Sequence, residues 1–432
     1  MSDTPGAVGS ADPPARGPLS TLRQRNFRHL FFAGVASSGG AAIGEASLVW
    51  IIYTTTQSAF AVALYGIAFT TSGVAVSLFA GVLVDRYDRR RLMILADLSR
   101  AAIIGLLALG LWIAGFNLPL PILAAVILAA FTTLFLPAQN SLIPQLVGRE
   151  AVGDANGLII SSNSVVQFTG FAVAGALIAT VGAIAGLGVN AITFLISAAF
   201  VASIVVPVGA ARAAPGGAGT SRPGFVAELR EGLRYLKGQM GLLGITISAG
   251  VNNFFLTMAL TFTVVYATGP LAAGPATYGV LLGLFAIGSG AGALLAARWR
   301  TYRWAGWVWL SMGAVQGILV LGLSALPYLL PAASLAFSLG IAIGVTNATW
   351  LSAAQLIVPS EMQGRYFGID QVGSLAVIPL AQIVGAYLVA TQGVLFAYFV
   401  AGLGALLSVV AFFFWPRLRQ LRSSVPVGAS PA

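Results

Sequence analysis

One carboxylate in this chain stands where a carboxylate is hardest to keep. Glu45 lies within an apolar run that opens at Leu30, about 22 Å along a helix rising 1.5 Å per residue. That is well inside a hydrocarbon layer of about 30 Å, and the sequence puts no Lys or Arg at that depth. An ionised group there costs several kcal/mol, so Glu45 is expected to face a cavity and to rest as the neutral acid. A carboxyl held in that way can load and release a proton. A neutral Glu bonded to a neighbouring helix is the blander alternative, although intramembrane ionisable residues are functional by default. Two other carboxylates within apolar runs, Asp97 and Asp370, have simpler expectations. Asp97 precedes Arg100 by three residues on one helix face, which predicts an ion pair near the membrane edge. Asp370 is placed to meet Arg365 or the basic cluster at residues 86–91.

Uncharged polar groups give the second set of candidates. Asn163, Gln167, Asn252, Asn253, Asn347, Gln355, Gln371 and Gln382 all fall within apolar runs, with Trp50, Phe254, Phe255 and Trp350 nearby. Together they are candidates for lining a substrate cavity. Asn and Gln also hold membrane helices together at about 0.6 kcal/mol each, and for any one of them that is the better expectation. With no fixed cation opposite Glu45, such a cavity is apolar and weakly acidic. It suits neutral or cationic amphiphiles.

These residues need a scaffold, and composition fixes its kind. The chain has 432 residues, 58% hydrophobic and 8% charged, against roughly 45–50% and 25% in soluble proteins. There is too little polar surface to cover a soluble globule. Gly reaches 52 residues, as expected where helices pack closely in lipid. Cysteine is absent and His29 is the only histidine. That excludes disulfides, thiolate zinc sites, Cys nucleophiles and His-dependent triads within the membrane. No metal site, cofactor, catalytic cluster or nucleic-acid-binding face is expected, and the chain does not read as an enzyme.

Twelve runs are long enough to span a bilayer: near Leu30–Tyr53, Val62–Val84, Leu92–Ala114, Leu120–Leu142, Gly157–Val181 and Ala185–Val206, then near Leu242–Thr268, Tyr278–Ala297, Trp304–Leu326, Ala333–Val358, Phe367–Ala390 and Leu395–Trp415. Threaded in order, they place all 22 Lys and Arg residues on one side, Arg100 being counted within the first turns of the third span. The six opposite loops carry no charge. By the positive-inside rule both termini and the central linker are cytoplasmic, in a multi-pass protein of the plasma or inner membrane. The expected organisation is a disordered tail over residues 1–27, a six-helix bundle over 28–206, a linker over 207–240, a second bundle over 241–415 and a tail over 416–432. Within the linker, Phe225, Leu229, Leu233 and Leu236 recur at helical spacing, which predicts an amphipathic helix on the cytoplasmic membrane surface.

The densest charge lies between spans two and three: Gly81-Val-Leu-Val-Asp85-Arg86-Tyr-Asp88-Arg89-Arg90-Arg91. A weaker counterpart, Gly292-Ala-Leu-Leu-Ala-Ala, follows 211 residues later, and Pro144-Gln-Leu-Val-Gly148-Arg149 has its counterpart in Pro359-Ser-Glu-Met-Gln-Gly364-Arg365. Same-sense repeats of this kind indicate a parallel 6+6 duplication.

Gly-x-x-x-Asp-Arg-x-x-Arg-Arg between spans two and three resembles the signature loop of the major facilitator superfamily, with Asp88 where the family usually has Gly. The segments Pro137–Glu150, Ala155-Asn156-Gly157 and Pro359…Arg365 resemble its drug-efflux subgroup, which includes enterobactin exporters and macrolide efflux pumps. The likeness covers roughly residues 25–415. It implies twelve helices in two six-helix bundles, a central cavity, alternating access and proton-driven export of a small molecule. A monomer in the lipid bilayer is expected. The same resemblance assigns a cytoplasmic gate to Gly81, Asp85, Arg86, Arg89 and Arg90, with Asp85 against the start of span eleven near residues 364–367. One departure stands in span five, where Gly170-Phe-Ala-Val-Ala-Gly175 lacks the Pro of the Gly-Pro-x-x-Gly-Gly usual in proton antiporters. A facilitator-fold importer or uniporter of a small metabolite is the alternative reading.

Overall fold

The computed structural model describes residues 18–148, 151–205 and 233–420, and among these there are helices and turns but no strand. The first half supplies α1 (Arg25–Thr56), α2 (Ala59–Arg86), α3 (Arg89–Ala114), α4 (Pro119–Val147), α5 (Val152–Thr180) and α6 (Ala183–Ala202). The second supplies α7 (Met240–Leu260) with a short continuation α8 (Thr263–Thr268), then α9 (Pro275–Trp299), α10 (Ala305–Ala325) and α11 (Leu329–Ile357). A broken span, α12 (Ser360–Ala376) and α13 (Ile378–Gln392), follows, and α14 (Val394–Phe413) and α15 (Pro416–Arg419) complete the described chain. Polar residues mark the turns. Ser58 accepts from the Ala61 N–H at the start of α2, and Asp88 accepts from the Arg91 N–H at 2.8 Å at the start of α3. Asp88 is thus an N-cap, a role that Gly fills less well.

Ten described helical segments are long and apolar enough to cross a membrane. The eleventh span is broken at Val377, which leaves Ile378–Gln392 as its apolar helix. The part before the break, α12, is polar and lies nearer the basic face. Lipid tolerates polar side chains poorly, so polar half-helices belong where helices face a cavity or one another.

Helices of the first half pack mainly among themselves, α1 on α5 and α6, α3 on α4 and α6, and α2 on α4. In the second half α9 packs on α11, and α10 and α7 pack on α14. The α9–α11 contact is backbone against backbone: a Cβ on Gly288, Gly292, Gly340 or Gly344 would come within 2.1 Å of a facing carbonyl oxygen. Parallel small-xxx-small pairs approach in this way. Between the bundles the principal contacts are α5 with α9 and α2 with α13. They gather toward the uncharged face. Gly175 meets Gly279 there, and the Trp50 ring lies 5.8 Å from that of Tyr278. This arrangement is closed on the uncharged face.

Three boundary expectations change. The expected N-terminal tail over 1–27 is structured from residue 18: Pro18–Arg23 form a 3-10 helix, α1 begins at Arg25, and Thr21 and Phe27 are buried. Most of the predicted linker helix lies outside the described residues. Its end, 233–238, is helical but is not simply laid on a membrane surface, because Leu236 is buried among Leu242, Trp309 and Tyr366 while Leu233 stays exposed. Residues 416–420 likewise dock instead of trailing, since Leu418 is fully buried and its carbonyl lies against Gly306. In each case an apolar side chain found a groove that hydropathy along the chain does not show.

Candidate functional site

Glu45 opens into a cavity of ≈ 200 Å³ whose wall is built by α1, α2, α3, α4 and α6, with one residue from the second bundle, Gln382 on α13. The Glu45 side chain presents its surface to this cavity, whereas its helix neighbours Ala46 and Ser47 are buried. None of the described lining residues is Lys or Arg. Tyr65, Thr70 and Thr132 add hydroxyls, and Phe69 and Phe194 add apolar wall. Tyr65 and Tyr278 lie within electrostatic reach of the carboxylate.

Two amides reach this cavity because glycines make room for them. A Cβ on Gly44 would sit 2.0 Å from Asn190 Nδ2, and one on Gly66 would sit 2.4 Å from Gln382 Nε2. Both amides are buried, at 2% and 6% exposure, and their Oδ1 and Oε1 atoms have no hydrogen-bond partner. The cavity wall therefore holds a carboxylate, and two unpaired acceptors are buried in the amides beside it. Asn190 escaped the sequence reading because its partner glycine is far off in the chain. The apolar setting of an Asn was the only signal available.

Phe194 is a shared wall. On its far side the Arg100 guanidinium lies 4.4 Å from the ring centroid and 4.6 Å from that of Phe135. Arg100 pairs with Asp97, which also accepts from the Ser197 hydroxyl at 2.7 Å. The pair is bonded as expected, and it lies inside the bundle. Arg100 lies about 16 Å along α3 from Arg89, and both partners are almost wholly buried. It is a core element of the first bundle.

In the second bundle several candidates serve helix packing. Asn252 donates to Gln316 Oε1 at 2.9 Å, and Gln316 donates to Thr346. Trp350 donates to Asp370, which also accepts from Thr246. Asp370 thus has an indole and a hydroxyl partner, while the side chain of Arg365, one of the partners expected for it, lies outside those described. Asn252 and Trp350 are buried and bonded across helices, and Asn252 Oδ1 has no partner. Gln167 and Asn347 are exposed, and Trp50, Asn163 and Asn253 half-buried. The side chain of Gln371 lies outside those described.

At the basic face, Arg90 donates to the carbonyls of Val201 and Ala202 and so caps α6, while Arg89 donates to the Ser141 carbonyl of α4. Arginine at a helix C-terminus complements its free carbonyls. These two signature arginines hold their own bundle together. Arg86 is exposed. Gly81 and Asp85 lie on α2, and Gly364 and Arg365 on α12, but their side chains are outside those described, as is Arg149 altogether. α12 begins at Ser360, before the 364–367 expected, and packs on α2. Pro144 lies inside α4, and Gly148 ends it with φ +77°.

The sequence model of the transmembrane secretion effector family matches residues 16–427. The multidrug efflux pump Tap of Mycolicibacterium fortuitum is 26% identical over 417 residues, covering 94% of this chain and 97% of its own length. YkuC of Bacillus subtilis, described as an uncharacterized MFS-type transporter, is 27% identical over 366 residues, covering 82% of this chain and 83% of its own. Among solved structures, the nucleoside transporter NupG superposes with a TM-score of 0.73 at 13% identity, covering 90% of this chain and 98% of its own. A POT family transporter bound to a thioalcohol-conjugated peptide gives 0.71 at 11%, covering 91% and 96%. At such identities the structures speak for the fold alone. Given a match over nearly its whole length, this chain belongs to the transmembrane secretion effector family of major facilitator transporters.

Proposed function

We propose that the protein exports small amphiphilic molecules, drug-, macrolide- or siderophore-like, in exchange for protons. The observation that carries this reading is Glu45 facing a cavity with no cation among its described lining residues. Likeness to a multidrug efflux pump supports the direction of transport. Solved neighbours include a nucleoside transporter and a peptide-bound transporter, so an importer or uniporter of a small metabolite is the competing reading. Inside-out vesicles offered a panel of dyes, macrolides and siderophores decide between them. Export by antiport requires accumulation of at least one compound that collapses when the proton gradient is dissipated. Equilibration with no dependence on that gradient sinks the reading.

In this proposal both termini and the linker face the cytoplasm, the chain works as a monomer in the cell membrane, and substrate, protons and lipid are its only partners. A cytoplasm-active reporter fused after Arg222 or Arg422 is then active, and one inserted between Gly269 and Pro275 is silent. Reversed activities would overturn the orientation.

The gate follows the family resemblance. That resemblance sets Asp85, near the end of α2, against the start of the eleventh span, where a helix N-terminus carries about half a positive charge. Asp85→Asn is expected to weaken closure of the basic face by ~0.3–2 kcal/mol and to raise the inward-open population. Unchanged label distances across that face in the variant would remove Asp85 from the gate.

A further inference from the structure

Among the described residues, Gln382 is the one from the second bundle in the wall of the Glu45 cavity. It crosses from α13 to the first bundle, and it fits because Gly66 leaves a notch in α2: a Cβ there would meet its Nε2 at 2.4 Å and its Cδ at 3.0 Å. Around it the bundles are closed on the uncharged face, through α2 with α13 and through Gly175 against Gly279. Its carbonyl oxygen is buried and unpaired within this contact. A side chain that fills a notch yet leaves an acceptor unsatisfied is held by shape and loosened by polarity.

We propose that Gln382 is a displaceable plug: seated in the Gly66 notch it holds the uncharged face shut while the cavity is empty, and a substrate entering the cavity expels it. Expulsion removes the α13 side chain from the first bundle and returns its amide to water, so occupancy of the cavity and opening of the uncharged face become one event. The plug rests on the transport reading above but not on proton coupling. Gln382 acts here as a positioning residue, because it sets the state of the bundles and need not touch the transported molecule.

The test uses the substrate-free full chain in lipid nanodiscs. The sequence has no cysteine, so Asn117→Cys and Thr391→Cys place one spin label on the uncharged face of each bundle, at exposed positions. Gln382→Ala empties the notch and Gly66→Ala fills it against the plug. Each is expected to raise the long-distance population about threefold to tenfold over wild type, the range a lost contact of this size gives. Gln382→Leu keeps the volume and removes the unpaired acceptor, so it is expected to move the population the other way, toward closure. A residue that merely stabilises the fold would not give opposite signs for Ala and Leu. The proposal is overturned if Gln382→Ala leaves the distances unchanged, or if Ala and Leu shift them in the same direction. Should Gly66→Ala fail to fold, the two Gln382 variants still decide. Because no gradient or transported compound is involved, loss of antiport in the vesicle assay and failure of the plug are read separately.

Discussion

Glu45→Gln is expected to abolish gradient-driven export while leaving expression, folding and substrate binding intact. Gln keeps the size and hydrogen-bonding reach of the neutral acid that this depth favours, so the cavity it lines with Tyr65, Thr70 and Asn190 should persist. It cannot release a proton. Uphill accumulation in inside-out vesicles should therefore fall to the level of empty vesicles, while downhill exchange of a preloaded compound survives. Glu45→Asp retains a titratable group pulled back by one methylene, so partial uphill activity with an altered pH optimum is expected. Wild-type accumulation by Glu45→Gln would make Glu45 structural. The proton would then have to travel through Asp97 or Asp370, although one is bound to Arg100 and the other to Trp350 and Thr246.

A second large effect is expected at the buried pair behind Phe194. Arg100→Leu leaves Asp97 in the core with Ser197 as its remaining side-chain partner, and an uncompensated buried charge destabilises by about 3–5 kcal/mol. The detergent-solubilised variant should lose most of its folded yield, or its melting temperature should drop steeply. Asp97→Asn combined with Arg100→Leu should recover much of the loss, since replacing both charges of a buried pair is far milder than removing one. Arg100→Lys should recover little, because a compact ammonium cannot reproduce a planar guanidinium lying over both Phe135 and Phe194. A stable Arg100→Leu single variant would show that the pair closes no charge balance in this core.

That pair also shows where the sequence stops being legible. Spacing put Asp97 and Arg100 on one helix face, and they are bonded. It could not say which way the face pointed, because the apolar residues of α3 surround it on every side. Helices and turns were readable because membrane length and the uncharged loops constrain them directly. The amides divide by the same logic. Asn252 and Trp350 look like cavity groups until Gln316 and Asp370 arrive from other helices, and Asn190 looks like nothing until Gly44 is seen opposite. Arg89 and Arg90 carry a family motif, yet their bonds run to α4 and α6 of their own bundle. Contacts between residues distant in the chain decided every one of these cases.

Where α5 crosses α9, the bare backbones at Gly175 and Gly279 touch without a side chain between them. Interlocked side chains must change rotamer before two helices can part, and each such step adds friction to the motion. A glycine crossing has no teeth to disengage. The bundles can roll there as on a bearing, and the speed of opening passes to the contacts that do interlock, the tilted Trp50–Tyr278 ring pair and the amide in the α2 notch. Placing a leucine at Gly279 would then slow or jam turnover without touching any group that binds substrate or proton.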